Sequence, residues 1–178
     1  ADSFTSFWKK VADARQRDLP KTEMQWLAKI IDKAEREQAY GQLLKAQFML
    51  AAAQTQISPD SIEPAIARLE RKQQQVKDPV AQAIYASALG SLYRQKDGAG
   101  DTAKSKAWYA RSMASPQLLA QHKSAEYEPA LIQGMDSKMF YDDLLHVIGF
   151  EAEAYGTLHD YYRSVGNRAA ACICAYYQ

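Results

Sequence analysis

Glycine and proline are scarce in this chain, 8 and 6 among 178 residues. So few breakers leave room for long helices and almost none for glycine-rich ligand loops. The stretch DGAGD at 97–101 is the one glycine-rich exception. It lacks the preceding strand and following Lys-Ser or Lys-Thr of a phosphate-cradling loop, and reads as a flexible helix connection. Cysteine is limited to Cys172 and Cys174. Two positions apart on a helix, they point roughly 200° from one another and do not bridge. With no histidine at ligand spacing, they read as two small buried hydrophobes. No run of 18 apolar residues exists, so nothing is long enough to span a bilayer as a helix. Net charge is nearly absent too: 22 Lys and Arg face 21 Asp and Glu. That balance provides no field for a polyanion and argues against a nucleic-acid partner.

Reaction chemistry is equally thin. There is no Gly-x-Ser-x-Gly elbow, Walker loop, dinucleotide fingerprint or His-Glu-x-x-His. A di-metal bundle would need Glu-x-x-His motifs, and none occurs. Asp143 precedes His146 by three positions, and His159 adjoins Asp160. Two such pairs on neighbouring antiparallel helices could form a metal or acid–base cluster, or could simply cap helices and face solvent. Glu151 and Glu153 fall on different faces of a helix and cannot act as an acid–base pair. The expectation is therefore a non-enzyme without metal or cofactor.

What is present is helical periodicity. Phe4, Phe7, Trp8, Val11 and Ala14 recur at three and four residues behind Ser3, a plausible cap, and DLP at 18–20 ends that helix. Met24, Leu27, Ile31 and Ala34, widened by Trp26 and Ile30, predict a second helix up to a break near Gln38. Leu43, Ala46, Leu50 and Ala53 mark a third, with Leu44 and Phe48 broadening it. SPD at 58–60 is a turn, followed by the thinner stripe Ile62, Ile66 and Leu69. Asp78 and Pro79 open a strongly patterned helix with Ile84, Ala88 and Leu92 beside Tyr85, Leu89 and Tyr93. Ala103, Ala107, Trp108 and Ala110 follow, with Pro116 marking the end. The pattern weakens from 117 to 136 into a short helix and a surface connection. Beyond it, Leu144, Val147 and Ile148 predict a compact helix stopped by Gly149. Tyr155, Leu158 and Tyr162 predict another, ended by Gly166. Asn167 caps a last one, AAACICAYYQ, apolar on nearly all sides. Such a helix should have neighbours on more than one face, which predicts that more protein follows it.

Residues 83–116, with Leu89, Gly90, Tyr93, Trp108, Tyr109 and Pro116, resemble a tetratricopeptide repeat. The expected fold is all-α: stacked antiparallel helical hairpins, a tetratricopeptide-like α-α superhelix or irregular bundle of about eight to nine helices. Residues 1–178 are expected to form one helical domain. Eleven tyrosines could also pave a peptide or glycan surface. In the pairs Tyr161–Tyr162 and Tyr176–Tyr177, one ring should pack inside while the other reaches a polar rim, and these four define a candidate partner surface.

The segments Asp18-Leu19-Pro20-Lys21-Thr22, Gln42-Leu43-Leu44-Lys45-Ala46 and Tyr161-Tyr162-Arg163 with Gly166-Asn167-Arg168 resemble the helical N-terminal region of large bacterial alpha-2-macroglobulin-like proteins. The resemblance implies a scaffold or docking domain preceding macroglobulin β-sandwiches. It further implies a cell-envelope protein on the periplasmic side, lipid-anchored before residue 1, whose full-length form is an endopeptidase inhibitor that traps proteases. Its partners would be the downstream domains of its own chain and, through the full-length protein, proteases. The family's thioester motif Cys-x-Glu-Gln is unmatched at Cys172 and Cys174, and no bait region is identifiable, so no functional residue carries over. The rival expectation is a free-standing tetratricopeptide-like module binding a protein or glycan.

Overall fold

A computed structural model describes residues 2–96, 102–134 and 136–178. The DGAGD connection lies outside them. The described residues are all-α: ten α-helices with short 3-10 turns, no β-strand, and a single isolated bridge between Lys123 and Asp143. None of these helices is long and apolar enough to cross a membrane. The helices are α1 Phe4–Gln16, α2 Pro20–Glu37, α3 Tyr40–Ile57, α4 Ile62–Gln75, α5 Pro79–Gln95, α6 Thr102–Ser112, α7 Pro116–Ala120, α8 Leu144–Glu151, α9 Tyr155–Ser164 and α10 Arg168–Tyr177.

Their boundaries follow local chemistry. Ser3 caps α1 by accepting from the Ser6 amide, and Asp78 caps α5 by accepting from Val80. Pro20, Pro79 and Pro116 each open a helix, where a missing N–H costs nothing. Pro116 therefore begins α7 after α6 has already ended at Ser112. Gln38 ends α2 in the left-handed conformation that glycine more often occupies.

The chain divides into two compact units. The first comprises Ala1–Arg68 and Tyr127–Ala130. In it α1, α2 and α3 close around Phe7, Val11, Leu27, Ile30 and Ala46, with Phe4, Trp8, Trp26, Ile31, Met49 and Leu50 packed on that core. Lysines lie over its rim aromatics, Lys10 and Lys29 on Trp26 and Lys45 on Trp8, so their alkyl stems cover apolar surface. Gly41 lies so close to the backbone of Tyr127 and Glu128 that a Cβ would collide with it.

The second unit comprises Leu69–Glu126 and Leu131–Gln178. Its α5–α6 hairpin closes over Gly90, where an added Cβ would lie 2.9 Å from the Tyr109 ring, and Ser105 donates to the Gly90 carbonyl. The buried residues of α6 are Ser105, Trp108, Tyr109 and Ser112, while Ala103, Ala107 and Ala110 face outward. The Tyr109 ring fills the contact with α5 at Gly90, and the small alanines are left outside.

The α8–α9 packing corrects a second expectation. Gly149 does not stop α8 but lies inside it, against Leu158 of α9. It is small because α9 crosses there. Gly166 does end α9, at φ +79°.

Candidate functional site

Two features of the second unit gather the residues that chemistry would use. The first is buried. Asp143 precedes α8 and is 3% exposed. Its Oδ1 accepts from the His146 backbone N–H at 2.9 Å, which caps the helix, and from His146 Nδ1 at 2.8 Å. Its Oδ2 accepts from the Tyr162 hydroxyl of α9 at 2.7 Å. Three donors converge on one carboxylate, which satisfies the charge as far as burial requires. The His146 ring stacks on Phe140, 4.8 Å away and 4° from parallel, with Phe150 edge-on to both rings. Among the described residues, His146 Nε2 is a buried side-chain nitrogen with no hydrogen-bond partner.

Burial, then the charge and hydrogen bond of Asp143, push the Tyr162 hydroxyl far above its ordinary range. Burial first and Asp143 second push the Cys174 thiol up to about 11. Cys174 thus stays protonated at neutral pH, which is the wrong state for a nucleophile or metal ligand. The segment feeding Asp143 is tightly held. Ser137 Oγ donates to Asp142 at 2.7 Å, and with Lys138 it keeps that carboxyl below its usual range. Tyr141 and Asp142 are both left-handed, with φ of 54° and 55°.

Of the two expected acid–histidine pairs, only Asp143–His146 is built into the interior. His159 lies 3.5 Å from Asp160 at the surface. No group of three or more His, Cys, Asp or Glu among the described residues is placed to hold a metal. Glu153 sits not on a helix face but in the turn after α8, at φ 53°. Glu151 instead accepts from Arg94 and from Tyr109, both at 2.8 Å, and ties α8 to the α5–α6 hairpin. Burial and that bond push the Tyr109 hydroxyl up to about 12.

The second feature is exposed. Asn167 caps α10 by accepting from Ala170, and its amide donates to the Met139 carbonyl at 2.9 Å. That orientation buries Ala170, Ala171 and Cys174. The opposite side presents Ala169, Cys172 and Tyr176, flanked by half-buried Ile173. These positions are three, four and seven residues apart, so they form one continuous apolar stripe. Among the described residues, the face carrying Ala169, Cys172 and Tyr176 is left uncovered. Cys172 is exposed, contrary to its reading as a buried hydrophobe.

The four tyrosines separate accordingly. Tyr162 is 1% exposed and belongs to the core, so it lines no surface; Tyr161 is half-buried, edge-on to it. Tyr176 and Tyr177 are 85% and 52% exposed, so neither ring of that pair packs fully inside. Tyr177 stacks on Tyr155 at 5.5 Å, and Phe150 meets both rings. Tyr155 and Phe150 thus join the aromatic surface at this end, which spacing within α10 alone does not reveal.

Neither protein-family models, nor curated proteins, nor solved structures gave a match to this chain. The alpha-2-macroglobulin-like resemblance accordingly rests on the quoted segments alone.

Proposed function

We propose that this chain is a non-catalytic helical scaffold that docks protein through the exposed face of α10. The observation that supports this is the stripe Ala169, Cys172, Ile173 and Tyr176, an apolar seam on a helix whose opposite face is already buried. A helix that ends a packed array against water carries a polar outer face. Small residues at 169 and 172 let another helix or a sheet edge approach closely, and Tyr176 supplies an aromatic anchor with a polar tip. The interior also fits a scaffold. The buried acid–histidine–tyrosine cluster joins helices, and its thiol neighbour is held in the unreactive form.

Within this reading, the resemblance to bacterial alpha-2-macroglobulin-like proteins supplies the setting: a periplasmic, lipid-anchored endopeptidase inhibitor whose later domains cover α10. Hydrogen exchange tests it. In a chain extended by its native following sequence, amides of residues 169–177 should be protected at least about tenfold more than in the 178-residue chain. Tyr176→Asp should abolish the gain. Equal protection in both chains would refute docking to a downstream domain.

A second reading, a tetratricopeptide-like module that binds a free protein or glycan, is favoured by the exposed Tyr177 ring stacked on half-buried Tyr155. It requires a peptide or oligosaccharide to shift Tyr155 and Tyr177 resonances in the isolated chain.

A further inference from the structure

We propose that the exposed face of α10 is a self-complementary seam on which a second copy of this chain docks, the two α10 helices running antiparallel about a twofold axis between Cys172 and Ile173. The inference rests on the reading of this face as a docking surface and names its occupant.

The order of residues along the seam carries it. Among the described residues, the uncovered side of α10 runs Ala169, Cys172, Ile173, Tyr176, with Tyr176 85% exposed and Ile173 half-buried. Reversing the helix about the midpoint between 172 and 173 exchanges position 169 with 176. The smallest side chain of the seam then meets the largest, so Tyr176 of each copy covers Ala169 of the other at both ends of the contact. A twofold axis also brings like sides of the seam together: Ile173 meets Ile173 on one side of the axis, and Cys172 meets Cys172 on the other. An isologous interface demands this match of a surface with its own reverse. Bulky residues at both ends would have held the helices apart.

Charge agrees with the direction. Arg168, exposed at the first position of α10, is the only charged side chain in the helix. In a parallel pair two such cations would share one end. In the antiparallel pair each lies beside the C-terminal turn of the other helix, where the dipole favours positive charge. A formal net charge of +1 leaves little repulsion between whole chains. Separation fits as well. Small residues at 169 and 172 allow axes about 8–9 Å apart, the close end of helix packing. Helix geometry then sets the two Cys172 Cα atoms roughly 5–6 Å apart. That lies inside the roughly 4.4–6.8 Å a disulfide spans. With ten residues α10 is about 15 Å long, so the contact covers less than the roughly 800 Å² per partner of a stable complex. The dimer is therefore reversible and concentration-dependent.

Sedimentation equilibrium of the reduced 178-residue chain from about 10 μM to about 1 mM tests the second copy, and average mass should rise toward twice that of the chain. Ala169→Glu puts bulk and a charge beneath Tyr176 of the second copy, while its place in the first turn suits the helix dipole. The fold should be kept and association weakened at least about tenfold. At concentrations where the dimer forms, oxidised glutathione should convert two Cys172 thiols into one intermolecular disulfide, and is itself reduced to two glutathione thiols. Cys172→Ser should abolish that product, since Cys174 is buried. Monomer mass at every concentration would overturn the proposal, as would association that Ala169→Glu leaves unchanged. A monomeric 178-residue chain whose extended form still protects residues 169–177 refutes the second copy alone and assigns the face to the following segment. A dimer with no gain of protection in the extended chain refutes only the downstream contact.

Discussion

Gly149→Ala is a substitution whose sign depends on tertiary packing. In an isolated helix, replacing an interior glycine by alanine stabilises by about 1 kcal/mol, because glycine loses more backbone entropy on folding. Gly149 is interior to α8, so local propensity alone predicts that gain. The fold opposes it. A Cβ built there lies 2.5, 2.6 and 2.7 Å from Leu158 Cδ2, Cδ1 and Cγ. Leu158 is fully buried, so its rotamer cannot swing away into solvent. Overpacking of this kind costs about 1–3 kcal/mol, and three atoms inside contact distance place it toward the upper end. Subtracting the propensity gain leaves a net loss of about 2 kcal/mol, or about 4–8 °C in melting temperature for a chain of this size. Gly156→Ala, one helix later, is the control. Its Cβ meets only the exposed Gln178 side-chain amide at 3.1 Å, and the variant should melt at or above the parent temperature. A double-mutant cycle with Leu158→Ala closes the test. Leu158→Ala alone should cost about 2–5 kcal/mol, and adding Gly149→Ala to it should recover stability instead of costing more. If Gly149→Ala raises the melting temperature, or if the two losses simply add, the close helix crossing is wrong.

Three other perturbations follow from single contacts. Asn167→Ala removes the α10 cap and the bond to Met139, and denaturant melts should show a loss of about 1–2 kcal/mol. Gln38→Gly relieves a left-handed residue at φ 54° and should gain about 0.5 kcal/mol, since the relief of about 1–2 exceeds glycine's entropic cost. Glu23 is buried at the start of α2, where desolvation raises its carboxyl above the ordinary 4.5 despite Arg15 at 3.5 Å. A carboxyl raised on folding binds its proton more tightly in the folded state, so its contribution to stability declines as pH rises from 4.5 through the folded value. Glu23→Gln should therefore flatten the stability–pH profile in that window, and a steeper profile would contradict the desolvation argument.

Helix existence was legible from residue order because its causes are local. The three-and-four spacing of Phe7, Val11 and Ala14, the caps Ser3, Asp78 and Asn167, and the prolines at helix starts act within a turn or two of chain. The cluster was only half legible. Asp143 and His146 are three positions apart and share one helix end, but Tyr162 reaches the same carboxylate from 19 positions away. No periodicity encodes that distance. Gly149 shows the same limit: its sequence neighbours make it look like a stop, and only Leu158 on the facing helix makes it an approach point.

Sequence by itself thus determined that this chain is helical and where most helices begin, because capping and amphipathic spacing are satisfied by neighbouring residues. Tertiary structure decided which apolar residues are left uncovered: Cys172 and Tyr176 outside, Tyr162 and Cys174 inside. The physical reason is that a helix as apolar as α10 can bury any of its faces equally well. The choice is made by the Asn167 cap, its bond to Met139 and the packing against α9.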